Sequence, residues 1–514
     1  MRIIDYFHQG LRRGPDRPAF IEGDRVVTWG EAAGNVERLA GALGAAGLSA
    51  TSRVGVYSPN DAMAFTAILA SFRLGAVWAP INARNTLEAN RHWLRLMDCH
   101  ALIYHSSLES EALELGALLQ APAILICLDR EGPSGIPSLE AFLAADAPRA
   151  PEPPDGDDVL ASVFPTGGTT GLSKAAEWTL QTWETLISTF WQCLPSETAP
   201  VHLVAGPMTH AAGVLALCAL PGGATNVILK KADPGLILDA IERHGVTHIY
   251  LPPTLIYSLL DHPDARRRDY SSLKYLVVAA SPIAPAKLRE AMDVFGAVVC
   301  QSYGQAEAPM FMTFLSTGEL LSGGSERWSS CGRSTLATRV EIMGQDGALL
   351  GPGQRGEIVA RGHLVMRGYY RNPEATAAVS EHGWRHTGDI GYRDDEGFIF
   401  IVDRAKDMII TGGFNVFSAE VEQVILSHPA VRECAVVGVP DPKWGEAVKA
   451  VVELKDGAEA DAASIIALVK KELGGVHAPK SVEFWPQLPR SAAGKVLKRD
   501  IRASFWQDQT RAIG

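Results

Sequence analysis

The chain has 514 residues, of which 47% are hydrophobic and 20% charged, and its formal net charge is −11. That composition is globular, with enough apolar material for two or more domains. The negative balance excludes general binding to nucleic acid or to an anionic membrane, which needs a basic face, but leaves room for a local basic groove around a small anion.

In chain order, the opening residues Met1–His8 carry no apolar leader segment, and no run of eighteen apolar residues follows anywhere. Neither a signal peptide nor a transmembrane segment is therefore expected, and the location read from the sequence is cytoplasmic. Seven cysteines are scattered at 99, 127, 193, 218, 300, 331 and 434 without a C-x-x-C pair. They read as reduced core residues rather than a disulfide or zinc framework. The Pro- and Asp-rich segment Ala147–Asp158 reads as an exposed connection rather than a packed element. A strand is expected at Val159–Phe164. Downstream, apolar runs alternate with amphipathic ones. Strands are expected at Thr225–Leu229, Val246–Leu251, Leu273–Ala280 and Ala297–Gln301. Helices are expected at Pro234–His244, Thr254–Leu260 and Ala286–Phe295. That rhythm implies βαβ units and a largely parallel sheet. Beyond Gly344 the elements become shorter and strand-rich, with Gln345-Asp-Gly347 and Asp395-Glu-Gly397 as hairpin turns.

From about residue 405 the texture changes again. A helix follows Ser418, with Glu420 and Glu422 placed to complement its first turn. Strands follow at Cys434–Val439 and Val448–Leu454, then a helix from Asp461 to Leu473 and a strand at Val482–Trp485. The last 110 or so residues read as a separate small α+β unit.

The run Thr166-Gly-Gly-Thr-Thr-Gly-Leu-Ser-Lys174 follows the strand expected at Val159–Phe164. Glycines 167, 168 and 171 let backbone N–H groups approach an oxyanion. The hydroxyls of Thr166, Thr169 and Thr170 add donors that can also meet a metal, and Lys174 adds a compact charge. The spacing is not that of a Walker A loop. Taken alone, the run suits a phosphate cradle or a plain surface turn.

Four further segments decide between these: Tyr303-Gly-Gln-Ala-Glu307, Thr387-Gly-Asp389, Asp403–Glu422 and Pro489-Arg-Ser-Ala-Ala-Gly-Lys495. In this order and spacing the five resemble the signature motifs of the adenylate-forming superfamily, and Arg17–Ala42 and Gly75–Asn85 look like its early segments. The likeness points to the acyl- and aryl-CoA synthetase branch, including 4-chlorobenzoate-CoA ligase and fatty-acid-CoA ligases. It implies an α/β fold. A large N-terminal domain of stacked mixed or parallel sheets with helices and a strand-rich subdomain would span 1–404. A small mobile α+β C-terminal domain would span 405–514, hinged near Lys406. It also implies a two-step ligation, in which a carboxylate attacks ATP to give acyl-AMP and pyrophosphate and the thiol of coenzyme A then displaces AMP. Charge neutralisation and positioning would dominate both steps.

Residue by residue, the resemblance assigns Glu307 to Mg²⁺, with the Thr166 or Thr170 hydroxyl nearby, since Mg²⁺ requires hard oxygen ligands. Asp389 would accept the ribose hydroxyls, and Arg404 would serve ribose or phosphate. Ala280, Ser302, Tyr303, Gly304 and Gln305 would line the nucleotide, with Thr166, Gly167, Gly168, Thr169, Thr170, Gly171 and Lys174 around its phosphates. Lys495 would bridge the attacking carboxylate and the α-phosphate. His210 would gate an acyl pocket also lined by Gly213, Ala279, Ser281 and Met310. Gly412, Gly413 and Trp444 would meet coenzyme A. The pocket segments carry no obvious cation, which disfavours a second carboxylate on the substrate; an aryl acid and a medium-chain fatty acid both fit. The phosphate run departs from the family's usual form at Gly167, Ser173 and Ala175, where serine, proline and glycine are usual, so a looser grip on pyrophosphate is expected. Two rivals remain: an adenylating enzyme whose acceptor is a carrier protein, and a non-catalytic nucleotide- or acyl-binding relative. A homodimer is left open.

Overall fold

The computed structural model describes residues 1–144, 147–166, 173–490 and 496–506. Two large sheets dominate. One has six strands in the spatial order 124–127, 101–104, 53–58, 77–82, 160–165 and 175–179, parallel except for the last pair. The other has nine, in the order 333–334, 308–315, 299–305, 275–278, 248–251, 201–204, 225–228, 18–22 and 25–28. Its middle is parallel, and antiparallel strands finish both edges.

Between these sheets lies a shared core. Val54, Val56, Trp78 and Phe164 from the first sheet pack in one cluster with Val204, Val277 and Cys300 from the second. Helix Ala62–Leu74 is buried along its whole length, which is why its sequence is mostly apolar, with Thr66, Ser71 and Arg73 as its only polar side chains. Asp61 starts it by accepting from Met63 and Ala64 N–H, and Gly75 ends it at φ +81°, a conformation glycine adopts without strain.

The expected βαβ stretch is present, with helices Pro234–His244, Pro253–Leu260 and Pro285–Phe295 between parallel strands. A four-stranded antiparallel sheet follows (338–343, 356–362, 385–393, 399–404), and the turn at Asp395–Gly397 closes its last hairpin. The remaining five strands form a small sheet covered by helices Ser418–Leu426 and Ala462–Leu473.

The Ala147–Asp158 connection has no helix or strand and is mostly exposed, as expected, but it is anchored where Ala150 and Pro153 are buried and the buried Arg73 guanidinium donates to the carbonyls of Ala150 (3.0 Å) and Pro151 (2.8 Å). One expectation needs correction. Glu422 does not serve the first turn of its helix, where Glu420 alone sits. It points inward, 2.8 Å from Lys498 Nζ and accepting from Val436 N–H. That pair joins a buried network. Ser418 donates to Asp403, Lys498 donates to Ser418, and Arg502 pairs with Asp407 at 2.7 Å. The network ties the last strand of the four-stranded sheet to the C-terminal helix Lys498–Ala503. All seven cysteines are free; five are buried and Cys193 and Cys331 are half-buried.

Candidate active site

The four-stranded sheet brings Asp389 and Arg404 side by side as cross-strand partners, with Arg404 Nε 3.2 Å from Asp389 Oδ1. Strand Val299–Gln305 of the large sheet presents Tyr303 and Gln305 to the same carboxylate. The Tyr303 hydroxyl donates to Oδ2 at 2.6 Å and Gln305 Nε2 donates to it at 2.8 Å. Gln305 also holds the Thr387 carbonyl at 2.9 Å. Two hydrogen-bond donors and one ion-pair partner leave a carboxylate with about four lone-pair sites an acceptor position to spare. Burial and the Asp389 charge push the Tyr303 phenol well above its ordinary range, so it stays a donor. Ser302 Oγ is buried and has no hydrogen-bond partner among the described residues.

Glu307 stands just beyond the same strand. Its Oε1 accepts from the Tyr369 hydroxyl at 2.7 Å and meets Arg385 Nη2 at 3.1 Å. Tyr369 also carries Lys174 on its face, with Nζ 4.9 Å from the ring centroid. Lys174 is fixed from the other side, where its N–H donates to Thr166 Oγ1 at 3.3 Å and its carbonyl accepts from Thr166 N–H at 2.9 Å. The two ends of the phosphate run are thus zipped together beside Glu307. Gly167, Gly168, Thr169, Thr170 and Gly171 lie outside the described residues, as does Lys495.

At the carboxyl end of strand Tyr275–Val278, Ala279 is buried and Ser281 exposed, while Ala280 sits at φ +78°. An alanine in the left-handed region carries strain of roughly 1–3 kcal/mol, the kind held at ligand sites. Met310 is also left-handed (φ +56°), and Gly304 lies under it, with no room for a Cβ against Met310 N. His210 is half-buried and precedes helix Ala211–Ala219. Gly213 is a packing position, since a Cβ there would stand 1.7 Å from the Met208 carbonyl oxygen. Gly412 and Gly413 both turn left-handed, and Gly412 lies under the Trp444 ring, its N–H donating to the Trp444 carbonyl at 2.8 Å. Trp444 is 42% exposed, with Lys443 Nζ 4.6 Å from its ring centroid.

Three residues escaped the sequence reading. Asn60 is buried and pins the loop that carries His210, donating to Gly206 and Leu229 carbonyls and accepting from Met208 N–H. Tyr369 and Arg385 hold Glu307. The signal for Tyr369 is an aromatic pair after glycine in Gly368-Tyr-Tyr370; that for Arg385 is a cation directly after Trp384, four residues before Asp389 on the same strand.

Paired donors around one buried acid, a second acid beside a closed phosphate run, and a strained turn at a parallel strand end form the layout of an adenylate-forming enzyme. The chain belongs to the AMP-binding enzyme family, which matches residues 7–370, with the AMP-binding enzyme C-terminal domain matching 420–495. Within it the chain falls on the acyl-CoA ligase branch. It is 36% identical to a medium/long-chain-fatty-acid–CoA ligase of Mycobacterium tuberculosis over 98% of this chain and 90% of that protein. A feruloyl-CoA synthase of an Amycolatopsis species is also 36% identical, over 96% and 97%. Among solved structures, an amide bond synthetase from Marinactinospora thermotolerans superposes with a TM-score of 0.89 at 32% identity, covering 98% of this chain and all of that one. No helix among the described residues is long and apolar enough to cross a membrane.

Proposed function

We propose that the chain is an ATP-dependent acid–CoA ligase that adenylates an aryl or medium-chain monocarboxylic acid and passes the acyl group to coenzyme A. The observation that carries this reading is the convergence of Tyr303, Gln305, Asp389 and Arg404 beside the Glu307–Tyr369–Lys174 group. In this reading the spare acceptor position of Asp389 takes a ribose hydroxyl, and Arg404 holds both Asp389 and the nucleotide. Lys174 and the Thr166 end of its run set positive charge and hydroxyls against the phosphates, as phosphoryl chemistry requires.

Among the described residues no group of three or more His, Cys, Asp or Glu could cage a metal. A single hard carboxylate such as Glu307, with the Thr166 hydroxyl, suits Mg²⁺ that arrives on a nucleotide and keeps most of its ligands from phosphate and water. When bound, the ion would neutralise charge on the departing pyrophosphate. Residues 1–404 would bind ATP and acid, and 405–514 would turn about Lys406, whose ammonium is held below its ordinary range by burial and by Arg404. One orientation would bring Lys495 to the phosphates. The other would bring Gly412, Gly413 and Trp444 to the thiol. A cytoplasmic location suits seven free cysteines.

A panel of carboxylic acids assayed for ATP- and CoA-dependent AMP release, with pyrophosphate exchange into ATP as the first-step readout, tests the function. Failure to exchange with any acid would restore the non-catalytic reading. Similarity to an amide bond synthetase favours a second reading, in which the acceptor is not coenzyme A. Release rates compared across coenzyme A, simple amines and a carrier protein separate the two. Trp444→Ala should raise KM for coenzyme A about tenfold, roughly 1.4 kcal/mol of lost apolar contact, with pyrophosphate exchange unchanged. Steady-state kinetics at fixed ATP and acid check this, and an unchanged KM would remove Trp444 from the thiol path.

A further inference from the structure

We propose that Arg385 is a pyrophosphate-binding residue, parked on Glu307 until a magnesium nucleotide enters; this rests on the ligase reading above. Glu307 is the carboxylate placed for the metal, and in this structure Arg385 already holds it. The two side chains are 5% and 12% exposed and stand 3.1 Å apart, with the Tyr369 hydroxyl on the same Oε1. The rest of the guanidinium is incompletely used. Nη1 donates to the His386 carbonyl and Nη2 lies 3.4 Å from the Tyr369 hydroxyl, but Nε is buried with no partner among the described residues. Leaving a charged donor buried and unsatisfied is unfavourable, so the resting arrangement has a reason to change.

Arg385, Glu307, Tyr369, Thr387 and Gly388 border one cavity of about 430 Å³. A guanidinium and a divalent cation sharing Oε1 would repel strongly in that largely buried site. When the metal takes Glu307, the guanidinium must turn to another anion; of the other carboxylates in the cavity, Glu381 and Glu357, the latter is already held by His386 and the Gly388 N–H, and the anion delivered with the metal is the triphosphate tail. The planar fork of arginine matches two phosphate oxygens at once, where lysine offers a point charge.

The test uses the full chain and the variants R385M and R385K, with Mn²⁺ and inorganic pyrophosphate as probes. Mn²⁺ binding is read by electron paramagnetic resonance without nucleotide, and the KM for pyrophosphate is read from exchange into ATP. R385M should raise that KM about ten- to a hundredfold, the worth of a charged hydrogen-bonding group. It should also bind Mn²⁺ more tightly than wild type, because the competing cation is gone. R385K should recover part of the pyrophosphate affinity. An unchanged KM in R385M overturns the proposal. So does weaker Mn²⁺ binding, which would make Arg385 a mere support for Glu307. If R385M does not fold by circular dichroism, R385K must by itself raise the pyrophosphate KM, and equality with wild type overturns the proposal. A wild-type chain that exchanges no pyrophosphate sinks the ligase reading instead, and the Mn²⁺ comparison still judges whether Arg385 competes for Glu307.

Discussion

Lys495→Ala should lower acyl-adenylate formation by about a hundred- to a thousandfold, the scale seen when one preorganised charge-stabilising group is removed. Attack of coenzyme A on supplied acyl-adenylate should stay unchanged. The asymmetry follows from charge. In the first step an anionic carboxylate must approach an anionic triphosphate, and a cation bridging both relieves their repulsion just where negative charge accumulates. In the second step a thiol attacks an acyl-adenylate, and AMP leaves with a charge that, in the proposed reading, Lys174 and Arg404 would meet. Lys495 lies outside the described residues, but the flanks of its run are fixed. Arg490 and Val496 form an antiparallel bridge, Leu497 N–H donates to the Pro489 carbonyl at 2.8 Å, and Arg490 faces Glu433 and Glu453. Pyrophosphate exchange reads the first half-reaction, and thioester formation from synthetic acyl-adenylate reads the second. Equal loss in both would remove Lys495 from its assigned role.

Periodicity made the βαβ stretch legible. The expected helix Pro234–His244 matches to the residue and its neighbours within about two, apart from the strand expected at Ala297–Gln301, which runs on to Gln305, because each is a regular element whose apolar face packs locally. The same pattern marks three of the five strands of the small sheet and its two helices, but not the short strands Ile409–Thr411 and Phe414–Val416. What stayed hidden depended on partners far along the chain. Nothing near Ala147–Asp158 announces that Arg73, buried in another helix, needs its carbonyls. Glu422 was read from the helix dipole, a local effect, whereas its position is decided by Lys498. The candidate site shows the same division. Glu307, Asp389, Arg404 and Tyr303 could be named because motifs mark them. The grip of Tyr369 on Glu307 spans 62 residues and has no local trace, and the Arg385 contact likewise joins two separate sheets.

Lys498, at the start of helix Lys498–Ala503, should be a costly truncation because it is the buried partner of Glu422. Lys498→Met should destabilise the fold by about 3–5 kcal/mol at pH 8, the usual effect of stripping one partner from a buried ion pair. Lys498 Nζ lies 2.8 Å from Glu422 and 2.8 Å from Ser418 Oγ, which itself donates to Asp403. Arg502 is committed to Asp407 and cannot replace it. Burial pushes the Glu422 carboxyl from 4.5 up to about 7 even with Lys498 alongside, and burial also raises Asp403. An acid raised on folding contributes no penalty below its unfolded value. Stability is lost as pH climbs from there through the folded value, because the unfolded chain releases a proton that the folded chain retains. Without Lys498 the folded value moves higher and the window extends above pH 7. The gap between variant and wild type should therefore widen from pH 6 to pH 8 in urea unfolding. Adding Glu422→Gln to Lys498→Met should remove most of that widening, as expected for two groups coupled through one contact. A gap independent of pH would mean that the methylene stem of Lys498, not its charge, holds the helix Lys498–Ala503 in place. Because the same network grips Asp403 and Asp407 on either side of Lys406, its loss should also free the proposed hinge, so faster proteolysis near Lys406 in Lys498→Met than in Lys498→Arg would tie the charge to that motion.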